Sequence, residues 1–217
     1  NGGNNAAARK APKQQNRKKQ EDIMAKKNAR NTRGKIVNAA WKLFYEQGYE
    51  DTTVEEIIDL SGTSKGSFYH YFDGKDALLS TLSSLFDEKY EELTGLLTPE
   101  MTAMEQLLFL NRELFHMIED SISLDLLARL YSTQLTTNGE KHLLDHNRTY
   151  YKLLRKIIAK GQSEGQLSSR SNVNEMVKLY ALCERALLYD WCLCAGEYAL
   201  TEYSAKVLPG FLSSFLP

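Results

Sequence analysis

From about Thr32 to the C-terminal end, apolar residues recur at intervals of three and four, and no run alternates apolar with polar. That period lines up one face of a helix, whereas a half-buried strand needs a period of two. The expected fold class is therefore all-α. Ile36, Ala39, Ala40, Leu43 and Phe44 form the first stripe, closed at Gly48. Thr53 with Glu56 makes a capping box that opens a short second helix through Val54, Ile57 and Ile58 to Leu60. Ser64 caps a third short helix, Lys65 to about Tyr71. Asp73 with Asp76 is expected to start a long helix from Lys75 to about Leu97, which Pro99 stops. Amphipathic helices follow near 101–120, 122–136, 139–164, 172–195 and 200–215. Turn chemistry at Asn138-Gly139, at Gly161 to Ser171 and at Gly196 separates them, and Pro209 should kink or split the last.

With 217 residues, 42% hydrophobic and 25% charged, the chain can bury a core, which excludes collagenous, disulfide-scaffold and wholly disordered classes. The most apolar stretch, 179–195, is interrupted by Glu184, Arg185 and Asp190, so no membrane partner is expected. Cys183, Cys192 and Cys194 are odd in number and lack CxxC spacing, which reads as reduced, buried thiols in a cytoplasm. Residues 1–30 are rich in Asn, Gln, Lys and Arg and read as a basic, disordered arm. Met24 reads as a natural start, which would make residues 1–23 a leader. Three regions are expected: the arm 1–30, a domain of short helices at 31–78, and a helical body 79–217.

Net charge is +4 over residues 1–23, zero over 24–80 and −5 over 81–217. A basic head on an acidic body suits an anionic partner at the N-terminal end, nucleic acid first. Thr53 to Phe72 reads TVEEIIDLSGTSKGSFYHYF, two short helices joined by a turn that holds Gly62. Such a pair can present its second helix to a major groove. An ordinary helical hairpin has the same spacing, so spacing alone leaves both open. Val54, Ile57, Ile58 and Phe68 would wedge the helices apart, leaving Thr63, Ser64, Lys65, Ser67, Tyr69 and His70 facing out. The stretch Ser61 to Phe72 holds Lys65 and no acid, and Lys26, Lys27, Arg30 and Arg33 could add positive charge beside it.

The stretch from Arg33 to Leu79 resembles the DNA-binding domain of the TetR family of bacterial transcriptional regulators. The resemblance is carried by Phe44-Tyr45-Glu46-Gln47-Gly48-Tyr49, by Thr52-Thr53-Val54 and Ile57, and by the unbroken run from Gly62 to Phe72, followed by Lys75 and Leu78. Ile58 stands where a small Ala is frequent, and Thr63 where Val is frequent. The resemblance implies a homodimer on a roughly palindromic double-stranded DNA operator, and a C-terminal domain that binds a small-molecule effector. On the matched positions, Thr53, Tyr69 and Lys75 suit phosphate contacts. Ser64, Lys65, Ser67 and His70 are candidates to read base edges, and Gly66 lets the backbone approach the duplex.

The helix at 172–195 is apolar nearly all round, with Val173, Val177, Tyr180, Leu187, Trp191 and Ala195 on one side and Met176, Leu179, Ala186 and Leu193 on the other. It is expected to meet core on one side and, with helix 200–215, a partner subunit on the other. Tyr131, His146, Tyr150, Tyr151 and Glu184 are the candidates to line an effector pocket. His142 and His146 stand at i and i+4, a spacing that could chelate a metal with His116 or a carboxylate, yet a solvated helix face gives the same pattern. The reading is a cytoplasmic, ligand-responsive repressor with no cofactor, no metal and no enzymatic activity. Its rivals are an interaction protein of the same fold that does not bind DNA, and a metal-dependent hydrolase built on the two histidines.

Overall fold

The computed structural model describes residues 31–136 and 141–217, all helix, turn and loop with no strand among them. The arm at 1–30, with Lys26, Lys27 and Arg30, and the break at Asn138-Gly139 lie outside the described residues. The chain divides into two compact units, the first ending at Leu78 and the second running Leu79–Pro217.

In the first unit, helix α1 spans residues 31–46 and buries Ile36, Ala39, Ala40 and Phe44. Helix α2 is Val54–Ser61, α3 is Lys65–Tyr71, and α4 is Lys75–Leu79, which carries the chain to the next unit. The cap at α2 forms as the sequence predicts: the Glu56 amide donates to Thr53 Oγ1 at 3.2 Å and the Thr53 amide to Glu56 Oε2 at 2.7 Å. Gly62 then leaves α2 at φ 62°, where a Cβ would be strained, and turns the chain toward α3. Ile57 and Phe68 are fully buried at the wedge, while Val54 and Ile58 are only partly covered.

The second unit holds α5 Leu82–Thr94, α6 Ala103–Ser121, α7 Leu124–Thr136, α8 Thr149–Ser163, α9 Val173–Leu193 and α10 Leu200–Leu212. Helix α6 packs chiefly on α10, and α8 lies against both α5 and α9. At Gly161 a Cβ would come within 2.6 Å of Ala103 Cβ, so this glycine permits the close passage of α8 past α6.

Several expectations are corrected. The single helix from Lys75 to about Leu97 is interrupted at Ser80-Thr81, where the Ser83 hydroxyl donates to the Ser80 carbonyl at 2.6 Å and competes with the helical ladder. Its second half ends at Thr94, before Pro99, with the Thr94 hydroxyl bonded to the Tyr90 carbonyl at 2.7 Å. The region 139–164 is not one helix: a single 3₁₀ turn, His142–Leu144, precedes α8. Pro209 does not split α10, which runs through it before tightening into a 3₁₀ turn at Ser213–Phe215. Of the cysteines, all free thiols, only Cys183 is buried.

The two faces expected of α9 are also rotated. Met176, Val177, Tyr180, Ala181, Leu187 and Trp191 all bury together, and Leu182, Ala186, Tyr189 and Leu193 form the outward stripe. On α10, Leu200, Leu208 and Leu212 face inward while Tyr203 is exposed and Val207 and Phe211 are partly covered.

Candidate nucleic-acid interface and ligand cavity

Helix α3 buries Phe68, partly covers Ser67 and Tyr71, and leaves Lys65, Gly66, Tyr69 and His70 exposed. Ser64 caps it, accepting from the Ser67 amide at 3.1 Å, and the two hydroxyls lie 3.0 Å apart. Both seryl groups are thus tied locally but keep spare hydrogen-bonding capacity. Lys65 extends into solvent, 3.6 Å from Glu55 with both side chains 69% exposed, a contact that an incoming phosphate or base can displace at little cost. At Gly66 an added Cβ would meet nothing nearer than Ser64 Oγ at 4.0 Å, so the domain itself has no need of glycine there. Tyr69 is 46% exposed, with its ring edge-to-face against Phe68, and exposed His70 meets Tyr71 edge-to-face at 4.7 Å between ring centroids.

Two of the candidates are engaged within the unit. The Thr53 hydroxyl donates to Glu56 Oε2 at 2.9 Å, and that bond with its backbone partner holds the Glu56 carboxyl below the usual carboxylate range. Lys75 Nζ donates to the carbonyls of Tyr49 at 2.7 Å and Glu50 at 3.2 Å. Beside it the Tyr49 hydroxyl bonds Asp76. Arg33, expected as loose electrostatic support, lies over the Phe72 ring at 5.3 Å.

In the second unit, Tyr131, Tyr150 and Glu184 line one cavity of about 50 Å³ together with Phe86, Tyr90, Leu114, Leu143, Arg148, Arg185 and Leu188. Tyr151 is buried beside it, its hydroxyl bonded to the Leu143 carbonyl at 3.0 Å, and His146 is exposed and stacks on Tyr151 at 4.7 Å. Of the five pocket candidates, then, three line the cavity and two stand behind it. Glu184 is 4% exposed and accepts from Tyr150 Oη at 2.6 Å and Asn111 Nδ2 at 2.8 Å. Burial pushes its carboxyl above the usual range, and hydrogen bonds from Tyr150, Asn111 and Tyr180 with the charge of Arg185 pull it part of the way back. Asn111 also accepts from the buried Ser204 hydroxyl, which joins α6, α8, α9 and α10 in one polar network. An adjoining groove of about 410 Å³ shares Tyr131, Leu143 and Arg185 with the cavity and is otherwise mainly leucine and tyrosine.

The sequence reading missed Tyr90, Arg148 and Asn111. Asn111 had a signal: it breaks the apolar stripe of Leu107, Leu110, Leu114 and Ile118 on the buried face of α6. His142 and His146 lose the premise of their pairing, since neither lies on an α-helix. His116 instead pairs with Asp120 at 2.8 Å, and no group of three or more His, Cys, Asp or Glu suited to a metal occurs among the described residues.

Comparison with known proteins places the first unit. Residues 36–82 match the family model of the bacterial regulatory proteins, tetR family. Those residues form a DNA-binding domain of the tetR type. The chain is 43% identical over 58 residues to an HTH-type transcriptional regulator of Lactococcus lactis subsp. lactis from the lacX 3′ region, covering 26% of this chain and 30% of that one. It is 34% identical over 68 residues to the HTH-type transcriptional regulator TtgR of Pseudomonas putida, covering 31% and 32%. These alignments span about a third of the length of the curated relatives. The structure of Thermus thermophilus FadR, a TetR-family transcriptional repressor in complex with lauroyl-CoA, superposes with a TM-score of 0.69 at 25% identity, covering 85% of this chain and 95% of that one. The chain thus shares its helical fold with that repressor over 85% of its length.

Proposed function

We propose that this chain is a ligand-responsive transcriptional repressor of the tetR family that acts as a homodimer on a palindromic operator. The observation that carries the reading is α3, a capped helix with one buried residue and an outward face of Lys65, Gly66, Ser67, Tyr69 and His70. Lys65 has the reach and donors to address guanine acceptors, Ser64, Ser67 and His70 the capacity to read neighbouring edges, and Tyr69 a hydroxyl for phosphate. Thr53 and Lys75 complete the phosphate set if DNA draws them from Glu56 and from the Tyr49 carbonyl.

The outward side chains Leu193 of α9 and Tyr203, Val207 and Phe211 of α10 supply an apolar face for a second subunit. The cavity at Tyr131, Tyr150 and Glu184, backed by Tyr151 and His146, is the effector site. The lauroyl-CoA complex of the similar repressor supports a small-molecule effector. Effector binding releases DNA by favouring a conformation with lower operator affinity, to the extent of its differential affinity for the two states. Such a protein works in the cytoplasm beside its DNA and needs no catalytic group.

Retention of genomic fragments on the immobilised full chain tests this reading. Specific fragments should survive a salt concentration that strips bulk DNA. Loss of all fragments together at one salt concentration would contradict it.

A further inference from the structure

The ligand cavity has a polar inner end that its own residues do not satisfy. Tyr90 is 2% exposed and lines the cavity, and its hydroxyl has no hydrogen-bond partner among the described residues. A buried hydroxyl without a partner is destabilising, so a group that bonds it gains at that position. Glu184 lines the same cavity. Its carboxylate takes Asn111 on Oε1, Tyr150 on Oε2 and a further contact from Tyr180, and two oxygens with about four lone-pair sites still keep accepting capacity. Tyr90 and Glu184 do not bond each other, so a single group placed in the cavity can meet both.

The charges around the cavity narrow the class. Arg148 forms a bidentate pair with Asp87, Nε to Oδ2 at 3.0 Å and Nη2 to Oδ1 at 3.1 Å. Arg185, which donates through Nη1 to Tyr151 Oη at 3.2 Å, lines the same cavity and its charge reaches Glu184. Two acids balance two guanidinium groups. A ligand cation or anion would therefore enter a buried site with nothing left to neutralise it. The end of a hydrocarbon chain would leave the Tyr90 hydroxyl unsatisfied. A neutral hydroxyl meets both demands: it accepts from Tyr90 and donates to Glu184.

We propose that the inner end of this cavity takes the hydroxyl of a neutral, otherwise apolar alcohol or phenol, held between Tyr90 and Glu184, with the ligand's body in the adjoining leucine-lined groove. About 50 Å³ holds the hydroxyl and the atoms next to it, and about 410 Å³ in the groove holds the rest. The proposal rests on the reading of this cavity as the effector site.

The test is calorimetric titration of the full chain with four probes of one body: 4-butylphenol, butylbenzene, 4-butylbenzoate and 4-butylbenzylamine. Tyr90→Phe removes only an unpaired hydroxyl, so the variant should fold with an unchanged or raised Tm. It should weaken 4-butylphenol by about tenfold and leave butylbenzene within about twofold. Both ionic probes should bind more weakly than the phenol. Absence of saturable phenol binding, equal weakening of both neutral probes by Tyr90→Phe, or tighter binding of an ionic probe would overturn the assignment. Operator release separates the two readings. Tyr90-dependent phenol binding that leaves the operator complex intact supports the ligand class and contradicts the effector role. Release by an ionic compound, undiminished by Tyr90→Phe, contradicts the ligand class and upholds the effector role.

Discussion

Lys75 Nζ donates to the carbonyl of Tyr49 at 2.7 Å and lies 4.3 Å from the centroid of the same residue's ring. The start of α4 is thereby fastened to the loop after α1, and an ammonium expected on a phosphate has an intramolecular role as well. Lys75→Ala should destabilise the DNA-binding domain by about 1 kcal/mol, read as a lower denaturant midpoint at constant slope. If Lys75 also reaches DNA, the slope of log affinity against log salt becomes less steep by close to one unit. A changed midpoint with an unchanged salt slope would confine Lys75 to the structural role.

Lys65 makes only a solvent-exposed contact to Glu55. Lys65→Ala should therefore leave stability within about 0.5 kcal/mol of the parent and cost about 1–3 kcal/mol in operator binding, with relaxed preference at one base pair of each half-site. Competition titrations against single-base operator variants check it. An unaltered base preference would mean that α3 meets the duplex with a different face.

Much of this site was legible in the sequence because its determinants are local. Thr53 and Glu56, or Ser64 and Ser67, sit three residues apart, and a cap needs nothing more. The break at Ser80-Thr81 was missed because hydroxyl competition for one carbonyl is a small effect against strong flanking periodicity. The ligand cavity was less legible. Tyr150 and Glu184 are side chains able to line a pocket, but nothing in their spacing separates them from ordinary core and surface, and Tyr90 sits on a stripe with Leu82, Phe86 and Leu93 that reads as plain core. What singles Tyr90 out is the lack of a partner for its hydroxyl, and only packing decides that. Asn111 and Glu184 are 73 residues apart, a separation over which no periodic pattern reports contact.

Leu193 is 66% exposed and Tyr203 42%, and neither is needed to close the subunit core. The double variant Leu193→Glu with Val207→Glu should sediment as a monomer of native helicity, while the parent sediments at twice the chain mass. Charge placed on a desolvated apolar face costs several kcal/mol of association, enough to dissociate micromolar protein. A variant that stays dimeric would move the interface off α9 and α10.

Burial holds the Glu184 carboxyl above its ordinary 4.5, so the folded chain binds this proton more tightly than the unfolded one. The stability tied to that proton is present in full below pH 4.5 and is lost as pH rises through the folded-state value. Glu184→Gln removes this dependence. The stability of the parent, measured relative to the variant by denaturant titration, should fall as pH rises from 4.5 to the folded-state value and level off above it. A difference independent of pH would show that Glu184 titrates in the folded chain as it does in the unfolded one.

The central claim is that α3 reads a symmetric operator from a dimer. Selection of bound duplexes from a random-sequence pool by the full chain measures this most directly. The account predicts an enriched, roughly palindromic motif, its half-sites separated by about one helical turn or a multiple of it, with Lys65→Ala broadening one position in each half. Enrichment of no motif, or of an asymmetric one indifferent to Lys65, would contradict it.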